Sequence, residues 1–353
     1  MAVSAARAAF NDGQWSSSAP AFRAEVMRKW AALIEEHALS IAVLGVRDNG
    51  TDIRTAMKGE PLSCAATIRY YAEAADKLYG EIAPTADTTL GLIHREAVGV
   101  VGLIVPWNFP LMIGAWKLGP ALAAGNSVVL KPSESASLSL IKIAELAIQA
   151  GMPAGVLNVV TGLGELCGKA LGLHRDVDVL AFTGSGMVGR CLMEYAAQSN
   201  MKRLYLELGG KSANIIFADA ANLERVAKET AASIFRNSGQ VCVAASRVIV
   251  QERIKALLIE KVLNYAKALS VGDPLNMSNN TGSIANAAQL AVIDAKVKQG
   301  LAEGAKLLLG GEKILQQSGG SYYAPTIFSE VTADMSLAQE EIFGPVLSIL
   351  SFD

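Results

Sequence analysis

From Val98 to Gln198 the chain alternates short apolar runs with amphipathic stretches, and no other feature constrains the fold as much. Val100–Val105 reads as a strand, Leu111–Ala124 as a helix and Ser127–Leu130 as a strand. Ser137–Ala150 reads as a helix closed by Gly151. Val156–Val160, a helix beginning near Glu165, the strand Val177–Phe182 and a helix over Val188–Gln198 complete the series. Apolar runs this short, joined by short links to helices, suit parallel strands covered on both faces. The predicted fold class is α/β, with a doubly wound sheet. A second α/β segment follows Glu207. Ahead of the alternation, Phe22, Val26, Trp30, Leu33, Ile34 and His37 share a helical face after Ser18-Ala19-Pro20, and a further helical stretch runs from Leu62 to Tyr79. Gly80–Gly99 changes to brief polar–apolar alternation through Leu90-Gly91-Leu92-Ile93-His94-Arg95, which reads as a β-hairpin standing off the main body.

At 353 residues more than one domain is expected. Hydrophobic residues make up 51% and aromatics only 6%, so the core is built mainly from Ala, Val, Leu and Ile. A net charge of −2 without a basic stripe argues against nucleic acid as a partner. No apolar run reaches the roughly 18 residues of a membrane span, and Met1–Phe10 lacks the charged and apolar regions of a signal peptide. Cys64, Cys167, Cys191 and Cys242 show no CxxC spacing, and the three histidines have no supporting motif. Neither a disulfide framework, a metal site nor a Cys–His hydrolase is indicated, and a reducing, cytoplasmic location is expected.

The chemistry concentrates in four blocks. Asn237-Ser238-Gly239-Gln240-Val241-Cys242 places a cysteine beside a glycine-bearing turn, a setting that can expose a nucleophilic thiolate. Cys64, Cys167 and Cys191 lack such surroundings and read as small hydrophobes. Glu207-Leu208-Gly209-Gly210-Lys211 carries a carboxylate able to activate water, and Pro106-Trp107-Asn108-Phe109-Pro110 carries an amide able to donate to an oxyanion. Asn108 is equally a turn residue by type. Gly184-Ser185-Gly186-Met187-Val188-Gly189 matches GxGxxG after an apolar strand, and Glu207 lies 21 residues beyond Gly186. On the dinucleotide-fold rule that spacing assigns Glu207 to a cofactor ribose. Gly162-Leu163-Gly164 serves as well for a plain strand-to-helix turn as for a phosphate contact.

Together and in this order the blocks resemble NAD(P)-dependent aldehyde dehydrogenases, and the resemblance covers essentially the whole chain. It implies a Rossmann-type NAD-binding domain over 1–79 and 98–207, an oligomerisation arm at 80–97 and a catalytic domain over 208–353. Cys242 is then the nucleophile, and Asn108 with the Cys242 backbone N–H holds the oxyanion. Glu207 becomes the general base, and Lys117, in Trp116-Lys117-Leu118-Gly119-Pro120, relays its protons. Lys131 and Glu134 take the adenosine ribose. In Glu340-Glu341-Ile342-Phe343-Gly344-Pro345, Glu341 takes the nicotinamide ribose and Phe343 packs against the ring. The remaining cofactor contacts fall on Val105, Pro106, Trp107, Ser133, Gly164, Phe182, Thr183, Gly184, Ser185, Gly189, Leu208 and Gly209. The family usually carries Ser or Thr where Gly186 stands, so the GxGxxG match is read as accidental and cofactor binding is expected to be weaker. NAD is favoured over NADP because Glu134 would repel a 2′-phosphate.

The expected partners are a small aldehyde and further copies of the chain. Tyr70–Lys77 and Ser199–Arg203 look most like the aminoaldehyde branch, such as the γ-glutamyl-γ-aminobutyraldehyde enzymes of polyamine breakdown. A CoA-acylating enzyme is the alternative, opposed by Glu207; a remnant that binds cofactor without turnover is another. Family members continue beyond the Phe343-Gly344-Pro345 motif and begin with strands ahead of the first long helix. The chain therefore reads as a fragment, expected to be poorly active or unstable.

Overall fold

The computed structural model describes all 353 residues, Met1–Asp353. They form two compact units: Met1–Leu44 with Met57–Glu207, and Gly45–Ala56 with Leu208–Asp353.

In the first unit, β1 (Glu81–Ala83) and β2 (Gly91–Ile93) pair antiparallel as a separate hairpin, on which Ile82, Leu90 and Leu92 are exposed. The main sheet holds β3 (Val100–Ile104), β4 (Ser127–Lys131), β5 (Leu157–Val159), β6 (Val179–Gly184) and β7 (Arg203–Leu208) in the order β5-β4-β3-β6-β7. β3 lies parallel to both β4 and β6, and every residue of β3 and β4 is buried. This full burial explains why both strands appear in the sequence as unbroken apolar runs. Val100, Val129, Leu180, Phe182 and Leu192 share one core cluster, and burying each is worth roughly 1.5–3 kcal/mol. The strand order reverses between β3 and β6. A crevice at their carboxyl ends is the general ligand position of such sheets.

Three expectations shift. The strand read at Val177–Phe182 is β6, two residues later. Ile104 at the end of β3 pairs with Phe182, and β6 runs on through Thr183 and Gly184 beyond that last pair. The helix expected near Glu165 begins as a wide π turn, Gly164–Gly168, before α-helix Lys169–Leu173. In helix Pro20–Glu36 the buried face is Val26, Met27, Trp30 and Ile34, while Phe22 is exposed. The indole of Trp30 donates to Ile143 O at 2.7 Å, which fixes that face.

Helix Pro110–Ala123 opens on Pro110, which has no N–H to lose, but Phe109 at its N-cap offers no side-chain acceptor. Glu60 supplies one. Its Oε2 accepts the Leu111 N–H at 2.8 Å, and Met112 donates to the same carboxyl. Burial pushes the pKa of Glu60 up to about 8, outweighing both donors, which favour the charged form. The folded protein therefore keeps this proton over a range where the unfolded chain has released it, from the ordinary glutamate value of 4.5 up to about 8. Stability falls as pH rises through that window. Glu60→Gln keeps an acceptor without the titration, so its melting temperature is expected to decline less than the parent's between about pH 5 and 8. Parallel declines would remove Glu60 from the account.

In the second unit, β8 (Ala213–Ile216), β9 (Arg247–Gln251), β10 (Lys306–Leu309), β13 (Thr326–Ser329) and β14 (Val346–Phe352) form a sheet ordered β10-β13-β14-β9-β8, and β11 (Lys313–Ile314) pairs with β12 (Tyr322–Tyr323). β10 runs antiparallel and the others parallel. Ile293, Val297, Phe328, Leu337 and Val346 lie in its core.

Residues 45–56, expected in the first domain, belong here. The cause is polar: Ile53 N–H donates to Pro274 O at 2.8 Å, and Ser283 N–H donates to Gly50 O at 3.0 Å. The Thr51 hydroxyl donates to Asn237 Oδ1 at 2.8 Å. No helix in either unit is long and apolar enough to cross a membrane.

Candidate active site

The first unit gathers two groups. Val105, Pro106 and Trp107 leave the carboxyl end of β3, with the Val105 N–H donating to Lys131 O at 3.2 Å. Asn108 follows, buried at the entrance to helix Pro110–Ala123. Lys117 sits within that helix, where burial lowers its pKa and the charge of Glu207, near the end of β7, acts in the opposite direction. The structure thus couples Lys117 and Glu207 electrostatically.

The second group lies along the carboxyl ends of β4 and β6. Lys131 is 3% exposed, and its Nζ meets Glu134 Oε2 at 3.1 Å. Partial burial pushes the Glu134 pKa up, but its own backbone N–H and Lys131 outweigh that and hold it low. Glu134 is therefore an ionised acceptor, with Ser133 beside it accepting the Ser135 N–H at 3.3 Å. Phe182 and Thr183 are buried, and Thr183 Oγ1 is enclosed without a hydrogen-bond partner.

Gly184 ends β6, Ser185 caps helix Gly186–Gln198 by accepting the Val188 N–H at 3.3 Å, and Gly189 is buried in the first turns. One residue separates strand from helix, and none of Gly184, Gly186 and Gly189 has a positive φ. The GxGxxG spacing is therefore not a glycine-dependent turn here. Gly186 is simply the first helical residue, and the Ser185 cap rather than a hydroxyl at position 186 tightens the start. Gly164 opens the π turn with open space around it. A carboxylate–ammonium pair, an orphaned buried hydroxyl and an open helix N-terminus fit a ligand with ribose hydroxyls and phosphates, as a dinucleotide has.

The second unit holds a separate set of groups. Helix Leu223–Phe235 ends in a tight turn at Arg236–Gly239. Asn237 (φ 49°, ψ 37°) and Ser238 (φ 54°, ψ 32°) are left-handed, and Gly239 follows at φ 73°. Each of the two non-glycine residues carries strain of about 1–3 kcal/mol. A Cβ at Gly239 would lie 2.0 Å from Gly344 O, so only glycine fits. The turn delivers Cys242, partly buried, to a recess lined also by Gly210, Gly239, Glu341, Phe343 and Gly344.

Leu208, half-exposed, leads into Gly209 and Gly210. A Cβ at Gly209 would meet Glu341 Oε2 at 2.0 Å, and the Gly210 N–H donates to Glu341 Oε1 at 3.4 Å. Burial raises the Glu341 pKa, offset by Gly210 and Lys211. Glu341 faces the recess, whereas Glu340 turns to Lys296. Phe343 holds a left-handed φ of 55°. Lys211 is held low, at about 8, first by burial and then by Arg247, with Glu341 and Glu340 opposing.

Thr51 and Glu60, and the partners of Gln240, emerge only from the structure. Gln240 is 1% exposed; its Nε2 donates to Asn237 O at 3.1 Å and its Oε1 accepts the Ala285 N–H at 2.9 Å. Its place next to the turn was visible in the sequence. Thr51 and Glu60 act across long sequence separations that leave no local pattern.

A strained turn leading to a thiol thus lies within α/β units of this topology. The family model described as "Aldehyde dehydrogenase family" matches residues 1–353. The NADP/NAD-dependent aldehyde dehydrogenase PuuC of Escherichia coli (strain K12) is 48% identical over 351 residues, covering 99% of this chain and 70% of its own. An indole-3-acetaldehyde dehydrogenase solved with NAD+ superposes at a TM-score of 0.98, with 49% identity over all of this chain and 71% of its own. A γ-glutamyl-γ-aminobutyraldehyde dehydrogenase from Burkholderia cenocepacia J2315 gives 0.97 and 48%, again over 100% and 71%. The chain belongs to the aldehyde dehydrogenase family. It has the fold of that family and is an oxidoreductase of the NAD(P)-dependent aldehyde dehydrogenase class.

Proposed function

We propose that the chain oxidises an aminoaldehyde to the carboxylate, with Cys242 as nucleophile. The observation that carries the reading is the strained Asn237-Ser238-Gly239 turn, which fixes the backbone that aims the thiol into its recess. The Cys242 thiolate adds to the aldehyde carbon, making an sp3 centre with an anionic oxygen. The Asn108 amide and the Cys242 N–H stabilise that oxygen as donors fixed in advance. Bound NAD supplies the hydride acceptor. The resulting Cys242 thioester is hydrolysed by a water that Glu207 deprotonates, which returns the thiol and releases the acid. Lys117, coupled to Glu207, carries the proton away.

Residues 1–79 and 98–207 supply the cofactor groups in this reading, and 208–353 the catalytic ones. Lys131 and Glu134 hold the adenosine ribose, with Ser133 beside them. Phe182, Thr183, Gly184, Ser185, Gly189 and Gly164 surround the phosphates and adenine. Val105, Pro106, Trp107, Leu208 and Gly209 border the nicotinamide half. Glu341 takes its ribose, and Phe343 packs on the ring. An ionised Glu134 disfavours a 2′-phosphate, so NAD is preferred over NADP.

The aminoaldehyde assignment is supported by the B. cenocepacia relative. A cytoplasmic site of action is supported by the scattered spacing of the four cysteines. Self-association through residues 80–97 is supported by the exposed apolar side chains of β1 and β2.

NADH formation with γ-aminobutyraldehyde, propanal and indole-3-acetaldehyde tests the reading. Turnover is expected with all three, with kcat/KM about tenfold higher for γ-aminobutyraldehyde. No aldehyde-dependent NADH from a folded sample overturns the function; equal or reversed preference overturns the aminoaldehyde assignment.

A further inference from the structure

The turn that aims Cys242 does not hold itself. Asn237 and Ser238 both occupy a conformation that L-residues avoid, so the surrounding structure must over-determine them. Part of the grip comes from residues 282–285. The Ser238 hydroxyl donates to Gly282 O at 2.9 Å, and Gln240 bridges to Ser283 O at 3.4 Å and to the Ala285 N–H at 2.9 Å. A further part comes from a segment nearly two hundred residues earlier. The Thr51 hydroxyl, 3% exposed, donates to Oδ1 of Asn237, itself 1% exposed, at 2.8 Å. Thr51 is aimed in turn: its own N–H donates to Asn49 Oδ1 at 3.0 Å, and Gly50 before it takes φ 73°. Gly50 O accepts the Ser283 N–H at 3.0 Å, so both grips on the turn are tied to each other.

We propose that Thr51 is a positioning residue for the nucleophile, acting through Asn237 to hold the 237–239 turn in the geometry that presents Cys242. The inference rests on the reading of Cys242 as nucleophile. A hydroxyl at position 51 sets how fast the thiolate attacks and leaves aldehyde and NAD binding alone. Threonine is suited to this because its branched Cβ limits rotation of the hydroxyl and its methyl fills the buried space.

The test compares parent, Thr51→Val, Thr51→Ser and Cys242→Ala. Thr51→Val keeps the shape and removes the donor. Three quantities are read: kcat and KM, the rate of Cys242 alkylation by iodoacetamide followed by peptide mass spectrometry across pH, and the melting temperature. Cys242→Ala reports the label that reaches Cys167 and Cys191. In Thr51→Val, kcat and the alkylation rate are expected to fall together about tenfold, with both KM values within twofold of the parent. Thr51→Ser should recover most of both rates. Should Thr51→Val fail to fold, Thr51→Ala carries the same expectation without added bulk.

Alkylation and kcat equal to the parent in a folded donor-less variant overturn the proposal. So does a lowered melting temperature with unchanged alkylation per folded molecule, since that is a purely structural role. Retained turnover in Cys242→Ala overturns instead the nucleophile reading on which the proposal stands.

Discussion

Cys242→Ala is expected to abolish steady NADH production, lowering kcat on the order of 10⁴-fold or more. Without the sulfur no sp3 carbon bearing an anionic oxygen forms, and a planar aldehyde is a poor hydride donor. The fold should tolerate the change. Cys242 is only partly buried, and Thr51, Ser238 and Gln240 each hold the turn by hydrogen bonds that the change leaves in place. Loss of one sulfur costs about 1 kcal/mol or less at such a site. Nucleotide binding, followed by quenching of tryptophan fluorescence, is expected to be retained. Turnover within tenfold of the parent would mean that another group makes the covalent bond.

Glu207→Gln should separate the two halves of the reaction. The first half needs the thiolate and the oxyanion donors, so one equivalent of NADH per enzyme is expected in a rapid burst. The second half needs a base for water, and steady turnover should then fall about 10²–10⁴-fold. Hydroxylamine, which attacks thioesters without a general base, is expected to restore turnover in part. The variant also removes a charge that raises the Lys117 pKa, so Lys117 should titrate lower than in the parent. The dinucleotide-fold reading of the same residue gives a different result. A Glu207 that held a cofactor ribose would raise the KM for NAD and leave no burst-and-stall behaviour. Unchanged steady turnover would exclude Glu207 as the base.

The parallel strands were legible because burial on both faces makes them apolar without interruption, as in β3 and β4. The blocks around Cys242, Glu207, Asn108 and Glu341 stood out because turn chemistry and catalytic chemistry use small, distinctive residue sets, and the roles given to them here are proposals. The Gly184–Gly189 spacing was read as accidental, and its backbone agrees. Three glycines in a familiar pattern have ordinary backbone angles here, and a serine cap does the tightening. Thr183 and Gly184 lay beyond the strand read at Val177–Phe182 and are strand, although the pairing with β3 stops at Phe182. Glu60 before Pro61 reads as an ordinary helix start. Only the fold reveals that its carboxyl is buried under the first turn of a different helix. The 45–56 segment was assigned to the wrong unit for the same reason, since its attachment is made by a few polar contacts that no periodicity encodes.

That segment also sets a timetable. Residues 45–56 leave the ribosome early, yet their partners Asn237, Pro274 and Ser283 follow about two hundred residues later. At ~5–20 residues per second, that interval is on the order of ten seconds or more. Meanwhile the first unit, whose chain brackets the segment on both sides, can assemble around a loop that stays unclaimed. Closing so long a loop is slow compared with forming local helices. The cysteine's turn is then among the last parts of the molecule to become rigid, so a newly made chain acquires its shape before its reactivity.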